Sequence, residues 1–149
     1  MAKEFIEKVI FCILLAGLVV EAIKDIKEKK VYLAVVLVEL PVLMGAQYWM
    51  GKGGAAIWIA SVGIGAFFYL ISVITRGQIG KGDALVFCMT GAGVGLYDNL
   101  LLIYVAFFLA FLAAVFLWAV RGVNKKYSIP LTPFILCAYL LVAGIRIIR

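Results

Sequence analysis

Histidine is missing from the chain altogether. Its absence removes Ser-His and Cys-His nucleophilic pairs, HExxH zinc sites and haem ligation by imidazole, and leaves acid–base chemistry to carboxylates, lysine and tyrosine. Carboxylates are themselves scarce: Asp and Glu together number 8 in 149 residues. The three cysteines, Cys12, Cys88 and Cys137, all lie inside apolar runs and form no Cys-x-x-Cys pair, so they read as small apolar residues and not as a metal or redox site. No repeat, low-complexity tract or soluble linker interrupts the sequence, which reads as one domain over 1–149.

What is abundant is apolar. Hydrophobic residues make up 66% of the chain, charged residues only 15%, and the mean hydropathy is +1.16, values that match a lipid-solvated protein and not a globular surface. The net charge of +6 falls in short clusters between apolar runs, which fits membrane topology and argues against a nucleic-acid partner. Met1 to Ile23 begins like a signal peptide but has no small-x-small cleavage site ahead of its lysine cluster, so it is read as a span.

Six apolar segments follow one another, at about Phe5 to Ile23, Val31 to Met50, Ala55 to Thr75, Asp83 to Tyr97, Leu100 to Val120 and Ile129 to Ile148. The expected architecture is an all-α polytopic membrane protein with six transmembrane helices. Polar links are expected at Lys24–Lys30, Gly51–Gly54, Arg76–Gln78, Asp98–Asn99 and Arg121–Ser128. The fourth segment has only some fifteen residues, or roughly 22 Å of helix against roughly 30 Å of hydrocarbon. Six spans put both termini on one side. The first, third and fifth loops then carry nine basic residues and the opposite side five, which predicts termini outside and those three loops in the cytoplasm. By this count Asp25 and Asp83 share the cytoplasmic face.

Two carboxylates at one membrane face are the minimum machinery for hydrolysing a peptide bond without a metal or cofactor. One takes a proton from water while the other, protonated, polarises the carbonyl, and like charges held close divide those roles. Asp83 closes the motif Gly80-Lys81-Gly82-Asp83, whose glycines allow a tight turn and a close approach by another segment. Blander readings exist for both: a solvated juxtamembrane charge for Asp25 among its lysines, and a helix N-cap for Asp83.

Asp25 after the first span, Gly80-Lys81-Gly82-Asp83 opening the fourth, and Ile129-Pro130-Leu131-Thr132-Pro133-Phe134 opening the last resemble the prepilin peptidases. These are GxGD intramembrane aspartyl proteases that remove the leader from type IV pilin precursors. The resemblance, strengthened by Gly91 and Gly95, implies Asp25 and Asp83 as the catalytic pair, supported by Gly80, Lys81 and Gly82. It also implies a pilin-like precursor as substrate, the lipid bilayer as surroundings, and location in the cytoplasmic membrane. Two family features are replaced: Lys29-Lys30-Val31-Tyr32 stands where Ile-Pro-Asn often follows the first Asp, and Leu85 where a Lys often follows the second. The cysteine-rich insertion of larger members, associated with methylation, has no counterpart, so cleavage without methylation is expected. Presenilin-type proteases share GxGD but carry Tyr-Asp ahead of it, whereas Tyr97-Asp98 comes after it here.

Three further features carry expectations. Glu21, four residues before Asp25, can pair with Lys24 or a substrate lysine and is the reserve candidate for the first acid. Glu39, about eight residues into its span and beside Pro41, is either a structural hydrogen-bonding group or a substrate contact. Gly91-x-x-x-Gly95 is expected to pack helices inside the fold in preference to a homodimer, and Trp49, Trp58 and Tyr97 to anchor the interface. The competing class is a non-enzymatic transporter or assembly factor with Glu39 and Asp83 on an ion or proton path.

Overall fold

The computed structural model describes residues 2–51, 54–76, 80–121 and 129–148. Parts of three expected links, at 52–53, 77–79 and 122–128, lie outside the described residues. Six helices follow in order: α1 (Ala2–Glu28), α2 (Leu33–Met50), α3 (Ala55–Ile74), α4 (Lys81–Val94), α5 (Leu96–Arg121) and α6 (Thr132–Ile148). Among the described residues there is no strand. Leu33–Met50, Ala56–Ile74 and Leu96–Val120 are each long and apolar enough to cross a membrane. α4 is the short one at 14 residues, about 21 Å.

Polar and apolar surfaces are distributed as lipid solvation requires. Phe108, Phe111, Phe116 and Trp118 of α5 face outward, as do Leu37 and Val38 of α2 and Ile59 and Leu70 of α3. Glu21, Asp25, Gln47, Ser61, Thr90, Asn99 and Thr132 are instead buried. Of the three aromatic residues expected to anchor the interface, Trp49 and Tyr97 are largely exposed and Trp58 is half-buried.

α4 is the central helix, packed against α1, α2, α3 and α5. Residues Val86 to Gly93 are buried without interruption, so this helix has no lipid face over that stretch. Lipid tails are as apolar as leucine, so burying apolar side chains holds the bundle together less than it would in water; close contact and internal hydrogen bonds must contribute more. Both are present around α4. A Cβ on Gly91 would strike the Ser61 carbonyl, one on Gly65 the Cys88 backbone, and one on Gly93 would stand 2.7 Å from Leu14 Cδ2. The Ser61 hydroxyl donates to the Gly91 carbonyl at 3.0 Å, Gln47 Nε2 donates to the Gly93 carbonyl, and the Thr90 hydroxyl donates to Asn99 Oδ1 at 2.7 Å. Phe68, Phe87 and Phe107 join α3, α4 and α5 with ring centroids 5.3–5.9 Å apart.

Gly91 therefore serves packing inside the fold, as expected. Gly95 serves a different purpose. Its φ of 88° and ψ of 176° form a backbone that side-chain-bearing residues avoid, and it separates α4 from α5. The break falls at Gly95 and not at Asp98-Asn99, which belong to the first turn of α5. Asn99 contributes from there by donating to the Phe87 carbonyl at 3.3 Å.

Candidate active site

α1 does not stop at Ile23. It continues as helix through the charged segment, where lysine and glutamate are good helix formers, and Lys24 and Glu28 form an i,i+4 ion pair at 3.0 Å. It ends where Lys29 takes a φ of 52° and donates its N–H to the Asp25 carbonyl at 2.9 Å. Asp25 thus lies on the last turns of a helix with its side chain turned inward, only 7% exposed. That corrects the reading of it as a solvated charge: Lys27 on the same helix is exposed and Lys24 is held by Glu28, whereas Asp25 is turned inward.

α4 supplies the second acid. Gly80 is the N-cap, with no side-chain cap bond, and Asp83 is the third helical residue, so the N-cap reading of Asp83 is also corrected. Each glycine of the motif has a steric reason. A Cβ on Gly80 would stand 2.5 Å from Asp83 Oδ2, because the carboxyl folds back over the helix start, and a Cβ on Gly82 would strike the Val31 side chain. The link between α1 and α2 consequently lies directly on the turn that presents Asp83. Lys81 is the first helical residue and points to the exposed side.

The two acids meet at the start of α6. The Thr132 N–H donates to Asp25 Oδ2 at 3.0 Å, across 107 positions of sequence. The Thr132 hydroxyl lies beside the Asp83 carboxyl but outside good hydrogen-bond geometry, and has no other partner among the described residues. Asp83 sits in the field of Asp25. Asp25 is buried and Asp83 half-buried, so one member of the pair keeps some exposed surface.

The two remaining candidate acids, Glu21 and Glu39, are linked to the pair through the field between Glu21 and Asp25. Glu21, with no exposed surface, accepts the Tyr32 N–H on Oε2 at 2.7 Å and lies in the field of Asp25. The expected pairing of Glu21 with Lys24 does not form, because Lys24 is bonded to Glu28. Glu39 rests its carboxyl against Gly17 of α1, in the field of Glu21. One oxygen of each, Glu21 Oε1 and Glu39 Oε2, is buried without a hydrogen-bond partner among the described residues.

Chemically, the arrangement offers two carboxyl groups that feel each other's charge, gathered around the start of α6 with its N–H and a hydroxyl. Among the described residues, no three acids or cysteines are arranged to hold a metal ion. A cavity of about 930 Å³ lies elsewhere, lined in part by Glu7, Trp58, Tyr97 and Asp98, and neither Asp25 nor Asp83 lines it. Sequence reasoning had Thr132 in view but gave it no role. The available signal was a threonine held between Pro130 and Pro133 at the start of a span on the aspartates' side.

The model of the Type IV leader peptidase family matches residues 12–119, a stretch that contains both aspartates and ends before α6. No curated protein and no solved structure matches the chain.

Proposed function

Because the chain belongs to the Type IV leader peptidase family, we propose that it is a membrane aspartyl endopeptidase that cuts the leader from type IV pilin-like precursors at the cytoplasmic membrane face. The observation that carries this reading is the meeting of Asp25 and Asp83 beside Thr132, on three helices far apart in sequence. A precursor of this kind joins a short basic leader to an apolar helix, so its cleavage site reaches the membrane boundary, and the half-buried Asp83 has exposed surface with which to meet it.

In the proposed reaction the ionised aspartate takes a proton from water as the water oxygen bonds to the scissile carbonyl carbon. The protonated aspartate donates to the carbonyl oxygen. The tetrahedral intermediate then collapses, the C–N bond breaks, and a proton passes to the departing amine. Gly80 and Gly82 support this by letting Asp83 fold back and letting the α1–α2 link close over it. Glu21 and Glu39 are proposed as acids near the substrate path, and the reaction ends at cleavage, with no methyl transfer and no cofactor.

The test is co-expression with a pilin-like precursor, following leader removal by gel mobility, for the wild type and for Asp25→Asn and Asp83→Asn separately. Each inserted, folded variant is expected to lose cleavage. Wild-type processing by either one removes that aspartate from the mechanism.

A further inference from the structure

Thr132 is the first residue of α6, and the Leu131 carbonyl accepts the N–H groups of Phe134 and Ile135. The opening N–H groups of a helix have no partner within it. Here the second position is Pro133, which has no N–H, and the third is Phe134, already bonded to Leu131. The Thr132 N–H is therefore the donor this turn has left to offer, and it goes to Asp25 Oδ2. The same residue has no exposed surface, and its hydroxyl sits beside the Asp83 carboxyl without completing a hydrogen bond. One buried residue thus presents a used donor to one acid and an unused donor to the other.

We propose that Thr132 is a positioning residue for the aspartate pair, its N–H fixing the rotation of Asp25 and its hydroxyl holding the Asp83 carboxyl as the site closes on substrate. The proposal rests on the peptidase reading. The family match ends at residue 119, so nothing in it assigns Thr132 a role. With Oδ2 of Asp25 accepting the N–H, the carboxyl is held in one rotation, and Oδ1 keeps its full acceptor capacity for water and for Asp83. The hydroxyl then restricts Asp83, whose first-turn position on α4 would otherwise leave its carboxyl free to rotate toward solvent.

The test compares Thr132→Ser, Thr132→Val and Thr132→Ala in the purified full-length protein, with a pilin-like precursor in detergent or liposomes. kcat and KM are measured across pH, alongside thermal unfolding. Thr132→Ser keeps both donors and is expected to stay within about twofold of wild type, whereas losing the hydroxyl lowers kcat by about a hundredfold, the scale of a misplaced reacting group, with KM little changed. The pH–rate profile is expected to change shape in Thr132→Val and Thr132→Ala, a response that a purely structural role would not give. Two hydroxyl-free variants are used so that one failing to fold leaves the other to decide. The proposal is overturned if a folded hydroxyl-free variant keeps wild-type kcat and pH profile, or if activity falls only in proportion to folded protein. If the wild type itself does not cut, the peptidase reading falls and this proposal with it. Cleavage that needs Asp25 and Asp83 but not the Thr132 hydroxyl overturns this proposal alone.

Discussion

At the scale of single residues, the membrane setting raises the cost of every polar group, so each buried one invites a question about its partner. Glu21 answers in part: one oxygen takes the Tyr32 N–H at 2.7 Å, joining α1 to the link that lies on Gly82. Replacing it by Gln keeps a carbonyl acceptor of the same length. Replacing it by Ala leaves a partly buried N–H without its acceptor, at a cost of about 1–3 kcal/mol. Glu21→Gln is therefore expected to unfold in detergent close to the wild-type temperature and Glu21→Ala several degrees lower. Equal melting temperatures for the two would show that the hydrogen bond contributes little. Whether Glu21 also meets substrate is read separately, from KM in the folded Gln variant, where a rise of severalfold is expected if its charge contacts a basic group.

Among the elements, α4 depends most on what its glycines leave out. Gly82→Ala places a methyl group against Val31, so the start of α4 and the α1–α2 link must move apart, and Asp83 moves with the helix. Cleavage is expected to fall about tenfold to a hundredfold, since a shift near 1 Å can cost the larger figure. Val31→Ala, which makes room, is expected to restore part of it, and additive effects of the two substitutions would mean that they do not share this contact. Gly95→Ala tests the other end: an alanine at φ 88° and ψ 176° is strained by about 1–3 kcal/mol and should lower thermal stability without touching the site. Much of this was legible in the sequence. Apolar runs showed six helices, the short fourth one included, and GxGD marked where Asp83 would stand. What the sequence hid was the continuity of α1 past its lysines, since a charged stretch looks the same as a loop or as a helix with one solvated face. The break at Gly95 was hidden for a similar reason: Asp98-Asn99 is the stronger turn signal, and only the packing of Asn99 against α4 turns it into helix.

For the whole molecule, the nearness of Asp25 to Asp83 was accessible because counting spans and basic loops predicts both at one end. Thr132 was not, because a hydrogen bond across 107 positions leaves no mark in local pattern. A dyad that needs one protonated and one ionised carboxyl predicts a bell-shaped pH–rate profile for the wild type, and a profile with a single limb would mean that one carboxyl alone carries the acid–base chemistry. Cleavage is also expected to persist in excess chelator, and its loss there would mean that a metal takes part. The orientation on which the substrate assignment depends can be checked without any substrate. Glu4 and Lys27 lie at opposite ends of α1, 23 residues and therefore about 34 Å apart, slightly more than a hydrocarbon core, and both are exposed. In a background with Cys12, Cys88 and Cys137 replaced by alanine, Glu4→Cys and Lys27→Cys report the two faces separately. A membrane-impermeant maleimide added to intact cells should label position 4 at once and position 27 only after the membrane is opened. The reverse pattern would put Asp25 and Asp83 on the outer face, out of reach of a leader still in the cytoplasm. The peptidase reading would then need a substrate that presents its cleavage site from outside.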